Sequence, residues 1–280
     1  MAFLSAGPGH ENIFKPLYGG FDLENYFDQE REQPPNTIQD QNMLFEPRNI
    51  PMTLRRISSD TVELHEKPGP QRGIETWTRF QVLAPRYIDI QFHCIPRVRL
   101  ASGKFLGLFF ANYVNSPEDG AYYFLGRKNV GGKVEWIRGY SPGHNYKATF
   151  ISDRSPAEIA FNPGYGRWMW SNPSDTRDVY PFFYGVVQGQ MYLLMIDRQD
   201  NIRFSHTPTG GGTPPWDIQF IIPNYRVGRK YGFRARIVVE KFVSREDARK
   251  DAIQKHERWS KRKVFLLASE GSLAASSLLH

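Results

Sequence analysis

Between Tyr180 and Pro223 the chain gathers the side chains best suited to do chemistry. Asp197, Arg203, His206 and Asp217 fall in one stretch of strand-like runs, a turn and a long polar loop, beside Gly210, Gly211 and Gly212. A histidine titrates near neutrality and can act as a general acid or base. Arginine can clamp a carboxylate or orient a hydroxyl. A carboxylate at a strand end can share the proton work or simply cap a turn. His144, in the loop Ser141-Pro142-Gly143-His144-Asn145, is a second histidine that could reach the same place. The candidate catalytic set is therefore His206, Asp217, His144 and Asp197, set against the plain alternative of solvated loop histidines and turn-capping aspartates. The glycine triplet is followed by Pro214 and Pro215 with no helix to supply a dipole, so it reads as a turn or a close-approach site, not a phosphate cradle.

A second group emerges from strand alternation, which sends successive side chains to opposite faces. Over 87–94, Ile88, Ile90, Phe92 and Cys94 share one face, while Tyr87, Asp89, Gln91 and His93 line the other. Trp77, Arg79 and Gln81 follow the same rule on the preceding run, as do Asp217 and Gln219 at 216–220. Such rows can stack on and hydrogen-bond a sugar, so Tyr87, Asp89, Gln91, His93, Trp77, Arg79, Gln219, Arg203 and Tyr184 are the candidate substrate-binding residues. If their strands share a sheet, the rows form a concave groove floored by Asp217, Gln219 and the 87–93 row. The alternative is a solvated outer face. Trp168 and Trp170 form either a stacking platform or a piece of core.

Two reaction classes fit these residues. Glycoside hydrolysis needs two opposed carboxylates, and Glu75, Asp89, Glu135, Asp197 and Asp217 are available without a spacing that selects a pair. Lyase chemistry needs a base and a group that neutralises a uronate, roles open to His206, His144, Tyr184 and Arg203. No metal site is expected, since no H-E-x-x-H pair occurs and Cys94 is the single cysteine. No cofactor is expected either, since there is no P-loop and no G-x-G-x-x-G.

The elements that must position these groups read as strands. Candidates are 52–57, 61–66, 73–83, 86–95, 104–114, 121–126, 133–138, 146–152, 182–188, 190–197, 201–205, 216–222 and 230–242, separated by turn signals such as Lys67-Pro68-Gly69-Pro70 and Gly131-Gly132. Many strands at this spacing without intervening helices indicate an all-β sandwich or barrel. With 14% aromatics, 20 Phe and 14 Tyr, the composition points the same way. Residues 1–50 read as an irregular acidic arm that wraps over the β body or pairs with a neighbour, 51–243 as the β domain, and 244–280 as a helix and tail. The helix is placed at 244–262, with Ser244 as N-cap and Asp247 three residues on.

The net charge is +7, with much of the excess in the tail from Arg245 to Lys263. That tail reads as a solvated basic helix or a docking surface for an acidic partner or a polyanionic sugar, not as a nucleic-acid footprint. No apolar run approaches the ~18 residues of a membrane span, and no signal sequence is visible, which points to the cytoplasm, with a processed secreted chain as the alternative.

The aromatic-rich strand spacing, and the run Trp216-Asp217-Ile218-Gln219-Phe220 after a Gly-rich loop, resemble the two-sheet antiparallel jelly-roll sandwiches of the concanavalin A-like lectin/glucanase group over roughly 52–242. The resemblance implies a carbohydrate-facing concave sheet and carries over no catalytic carboxylate. The leading expectation is a carbohydrate-active protein, a glycoside hydrolase or polysaccharide lyase with a carbohydrate ligand. A non-catalytic glycan-binding module and a homo-oligomer joined through its acidic arm and basic tail stand beside it.

Overall fold

The computed structural model describes residues 4–16, 18–27, 51–68, 73–99, 105–129, 131–143, 147–155, 173–198, 200–207 and 213–276; of residues 25–27 and 262–276 it describes the main chain alone. His144, Trp168, Trp170 and the Gly210–Gly212 triplet lie outside the described residues. The chain divides into two units, Met1–Lys241 and Phe242–His280.

The first unit is all β. Its strands are β1 (Asp22–Phe27), β2 (Thr53–Arg56), β3 (Thr61–Glu66), β4 (Ile74–Leu83), β5 (Tyr87–Pro96), β6 (Phe105–Ala111), β7 (Pro117–Arg127), β8 (Glu135–Gly139), β9 (Thr149–Ser152), β10 (Pro173–Val187), β11 (Gln190–Ile196), β12 (Ile202–His206), β13 (Trp216–Pro223) and β14 (Tyr231–Lys241). Hydrogen bonding runs through them in the order β1-β6-β13-β12-β9-β10-β11-β14-β5-β4-β3-β2, with β7 branching from β10 and β8 from β7. The pairings are antiparallel except β9 with β10, which is parallel.

This path folds over on itself to make a sandwich. Period-two patterning dictates which faces meet. Phe92 on β5 and Phe233 on β14 touch Phe110 on β6 and Phe220 on β13, with ring centroids 4.9 Å apart for Phe92–Phe110 and 5.3 Å for Phe220–Phe233. One layer is thus β1-β6-β13-β12, and the facing layer is β14-β5-β4-β3. Cys94 is buried in this core, and burial pushes its thiol up to about 12. A second aromatic group, Tyr122, Phe124, Phe150, Phe183 and Phe204, fills the space under β7 and β10. Here Trp216 lies against Gly185, whose missing Cβ leaves the room its ring occupies.

The N-terminal arm contributes more order than its composition suggests. Ile13 and Phe14 are fully buried, Phe14 bridges to Val114, and the Gln190 side chain accepts from the Ala6 amide at 2.6 Å and donates to the Glu11 carbonyl at 2.8 Å. Its strand β1, absent from the sequence reading, pairs with β6. Asn112 clips the layer together: its Oδ1 accepts from the Phe21 amide at 2.8 Å, and its Nδ2 donates to the Trp216 carbonyl at 2.8 Å.

In the second unit, α1 spans Arg245–Ser276, longer than the expected 244–262. Its start is capped as the sequence suggests. The Asp247 amide donates to Ser244 Oγ at 3.1 Å, and that hydroxyl donates to Asp247 Oδ2 at 2.6 Å.

Candidate functional site

Alternation on β12 and β13 sends Ile202, Phe204, Trp216, Ile218 and Phe220 into the core. Arg203, Ser205, Asp217 and Gln219 must then share the opposite face. The register sets Arg203 across from Gln219 and Ser205 across from Asp217, and β9 adds Thr149 across from Ser205. Directly opposed residues have Cβ atoms ~5 Å apart, so these four side chains form one contiguous block. All four are buried. Within the block, Thr207 Oγ1 donates to Asp217 Oδ2 at 3.0 Å and Gln219 Nε2 donates to Ser205 Oγ at 3.2 Å. Asp217 Oδ1 and Gln219 Oε1 are buried without a hydrogen-bond partner among the described residues. Buried polar atoms are nearly always bonded, so two such acceptors side by side need a reason.

Electrostatics make the block an acid. Burial raises the Asp217 carboxyl well above its ordinary value, and the charge of Glu24 raises it further. The Thr207 hydroxyl and the Asn112 amide pull the other way without winning. Glu24 is the extra residue at the β1 register shift between Leu23 and Asn25, and its Oε1 accepts from the Tyr113 hydroxyl at 2.6 Å. The arrangement is a buried carboxyl with a raised pKa, a nearby carboxylate, one guanidinium and one amide.

The other predicted rows also come together, on a different face. β3, β4, β5 and β14 are neighbours, and across them the ladders read His65–Trp77–His93, Glu63–Arg79–Gln91–Arg234 and Gln81–Asp89–Arg236. Trp77 is stacked between the two imidazoles, at 4.8 Å and 7° from His65 and 4.7 Å and 14° from His93. Both indole faces are therefore covered, and Trp77 cannot stack on a sugar as the sequence reading expected. The acids are held by arginines. Glu63 bonds Arg79 at 2.7 Å and Arg55 at 3.0 Å, Glu75 bonds Arg97 at 2.5 Å and His65 Nε2 at 2.8 Å, and Asp89 takes both arms of Arg236 at 2.5 and 2.7 Å. Tyr87 lies under the Arg236 guanidinium, 5.1 Å from ring centroid to Cζ.

One groove floored by both sets does not form. Ile90 and Phe92 of β5 and Ile218 and Phe220 of β13 enter the same core from the two layers. Their alternate residues must then point away from each other, so the 87–93 row and the buried Asp217–Gln219 pair lie on opposite sides of that core.

The remaining candidates are held by structure. His206 faces inward with Phe204. Its Nε2 donates to the Gly120 carbonyl at 2.7 Å, and its Nδ1 accepts from the Ser141 amide at 3.1 Å. Burial is the first cause that holds its pKa down, to about 4. With both nitrogens engaged by backbone and the ring neutral, His206 ties the end of β12 to two loops and has no free nitrogen for proton transfer. Asp197 pins β11 to β14, accepting from the Arg234 amide at 2.9 Å and from its Nε at 3.2 Å. Tyr184 is buried, stacked on Tyr123 at 5.5 Å and edge-on to Trp136 at 5.4 Å.

Sequence reading missed Ser205, Thr207, Thr149 and Glu24. The period-two run Arg203-Ser205-Thr207 was a signal for the first two. Glu24 carries none, because only the pairing of β1 with β6 brings it near Asp217. Among the described residues, no group of three or more His, Cys, Asp or Glu is placed to hold a metal ion, and no helix is long and apolar enough to cross a membrane.

No protein-family model matches the chain, nor does any curated protein sequence. Among solved structures it is similar to the Slr1438 protein from Synechocystis sp. PCC 6803, with 8% identity over 80% of this chain and 76% of that one and a TM-score of 0.45. It is also similar to the alpha-N-acetylgalactosaminidase NagBb from Bifidobacterium bifidum, with 12% identity, 78% of this chain covered and a TM-score of 0.47, though it spans only 32% of that enzyme. A galactose mutarotase-like protein from Lactobacillus casei ATCC 334 shares 9% identity over 79% of this chain and 82% of that one, at a TM-score of 0.38. None of these three is a concanavalin A-like lectin or glucanase.

Proposed function

We propose that this chain is a carbohydrate-active β-sandwich protein whose site is the Arg203–Ser205–Asp217–Gln219 block, working by carboxylate acid–base chemistry of the glycoside-hydrolase kind. The observation that carries the reading is the fully buried Asp217 carboxyl, its pKa raised by burial and by Glu24, next to acceptor atoms that nothing in the described chain satisfies. A carboxylic acid neutral near pH 7 can protonate a leaving glycosidic oxygen, and an ionised partner can stabilise the positive charge that develops or activate water. Asp217 has the first role and Glu24 the second. Arg203 and Gln219 offer fixed donors and an acceptor suited to vicinal hydroxyls. One guanidinium balanced by the Glu24 carboxylate suits a neutral polar ligand better than a uronate. The lyase assignment is weaker, since His206 has no free nitrogen and Tyr184 is packed beneath Trp136.

Release of reducing ends from a panel of α- and β-linked oligosaccharides tests this. Asp217→Asn keeps the shape and the Thr207 bond, and it should lower kcat at least ~100-fold, within the range general acid catalysis supplies. Glu24→Gln should also lower kcat. No turnover of any glycan by the wild type, or full activity in Asp217→Asn, would sink the enzyme reading.

A binding-only reading draws support from the half-exposed ladder on β3, β4, β5 and β14, where fixed arginines and amides are presented around the His65–Trp77–His93 stack. Its test is glycan-array binding that Gln91→Ala abolishes and Asp217→Asn leaves intact.

A further inference from the structure

At one end of the sandwich the turn Asn224–Lys230 joins β13 to β14, and two hollows open beside it. The larger, about 420 Å3, is lined by Arg198, Asn201, Asn224, Arg229, Lys230 and Tyr231. The smaller, about 250 Å3, shares Lys230 and Tyr231 and reaches Gln91, His93 and Arg234. The larger falls within the ~300–1,000 Å3 typical of small-molecule sites. It is also separate from the acid block, because its lining includes Phe220 and Ile222 from the inward face of β13.

The charges are unbalanced. Each acid nearby is already taken: Asp200 by Arg198 at 2.5 Å and Asp197 by Arg234 at 3.2 Å. Arg226, Arg229 and Lys230 have no carboxylate partner among the described residues. The walls that carry these cations are fixed. Gly228 turns the chain at φ 78°, its amide donates to the Pro96 carbonyl at 2.8 Å, and the Arg226 amide donates to the Tyr231 hydroxyl at 2.7 Å. The Arg198 guanidinium is anchored on the Gly232 carbonyl at 3.0 Å and lies over Phe220, while Arg229 lies over Tyr231, 5.5 Å from its centroid. Cations carried on a fixed turn, without counter-charge at Arg226, Arg229 and Lys230, are what an oxyanion needs.

We propose that this hollow binds the anionic group of a small ligand, a carboxylate, sulfate or phosphate, gripped by Arg229 and Lys230 with the Asn224 amide behind. Binding is non-covalent and does not depend on the acid block being catalytic. His93 serves as a built-in reporter. Burial first, then the charges of Lys230 and Arg79, hold its pKa below 6.5 against the opposing pull of Glu63 and Glu75. An anion seated on Lys230 offsets that charge.

The experiment is calorimetric titration of the full chain with sodium glucuronate, sulfate and phosphate at an ionic strength of about 10 mM, where screening is weak. The Arg229→Ala/Lys230→Ala double variant is compared with Arg86→Ala, whose partner is Glu240 elsewhere on the sheet. Arg229 and Lys230 are exposed, and unfolding curves check that the variants fold; Lys230→Gln alone replaces the double variant if it does not. The expected result is one saturable site, at least tenfold weaker in the double variant and unchanged in Arg86→Ala, with the His93 imidazole titrating at higher pH when the anion is bound. Saturation by glucuronate alone identifies a carboxylated sugar; saturation by sulfate or phosphate identifies a tetrahedral oxyanion. The proposal is overturned if none of the three saturates, if the folded double variant binds as tightly as wild type, or if Arg86→Ala weakens binding equally.

Discussion

Asp217→Asn, measured as stability against pH, reports whether the carboxyl at the centre of the acid block is protonated in the native state. Asp217 is fully buried, and burial together with Glu24 raises its pKa well above 3.8. Between pH 3.8 and the folded value, the native protein therefore holds one proton more than the unfolded chain. The contribution of this group is complete below the unfolded pKa and is lost as pH rises, at about 1.4 kcal/mol per unit. Asparagine does not titrate and accepts the same Thr207 bond. Unfolding free energy of the variant minus that of wild type should thus climb as pH rises above 4, with a slope of at most about 1.4 kcal/mol per unit. Other groups titrate over this range too. Asp178 is raised by burial, and His206 and His256 are held down to about 4, but all three occur in both proteins and cancel in the difference. Urea unfolding at half-unit pH steps, with the slope against urea confirmed constant, supplies the curve. Glu24→Gln should shorten the window by lowering the Asp217 pKa. A difference curve flat from pH 4 to 6 would refute the reasoning: Asp217 would then ionise normally, and it could not be the acid.

For His206 the prediction is structural. Ala at this position leaves the Ser141 amide without its partner and the Gly120 carbonyl with the Trp216 indole N–H alone, at a cost of about 1–3 kcal/mol. Because the folded pKa lies near 4, wild type should lose about 3 kcal/mol from this group as pH falls from 6.5 to 4, a loss His206→Ala lacks. An imidazole resonance titrating at 6.5 or above would overturn the assignment. At Gly185, an added methyl lands on the Trp216 ring. Gly185→Ala should cost about 1–3 kcal/mol by overpacking, and Trp216→Leu in the same chain should recover part of it. An unchanged melting temperature for Gly185→Ala would show that the contact yields freely.

The strands were legible because alternation and turn residues are local signals. Thirteen strand-like runs, from 52–57 to 230–242, each overlap one of β2 to β14, though β10 begins nine residues before its run, and the all-β sandwich follows from them. The strand that escaped, β1, sits between Gly19-Gly20 and a polar stretch, and it exists because β6 offers an edge. The Ser244–Asp247 cap was likewise visible from spacing alone, since its partners are three residues apart.

The site divides along the same line. Sequence determined that Arg203, Asp217, Gln219 and the 87–93 row face away from apolar neighbours, because a strand's two faces are fixed by residue parity. It could not say which strands lie beside each other, nor that the two polar rows belong to opposite sides of the core. Tertiary structure decided those matters, and with them the chemistry. Packing closed both nitrogens of His206 on backbone and both faces of Trp77 on imidazoles. It set Asp217 in a buried block within reach of the charge on Glu24, a residue 193 positions away in the chain. Whether a carboxyl works as an acid depends on desolvation and neighbouring charge, and both are properties of the assembled fold.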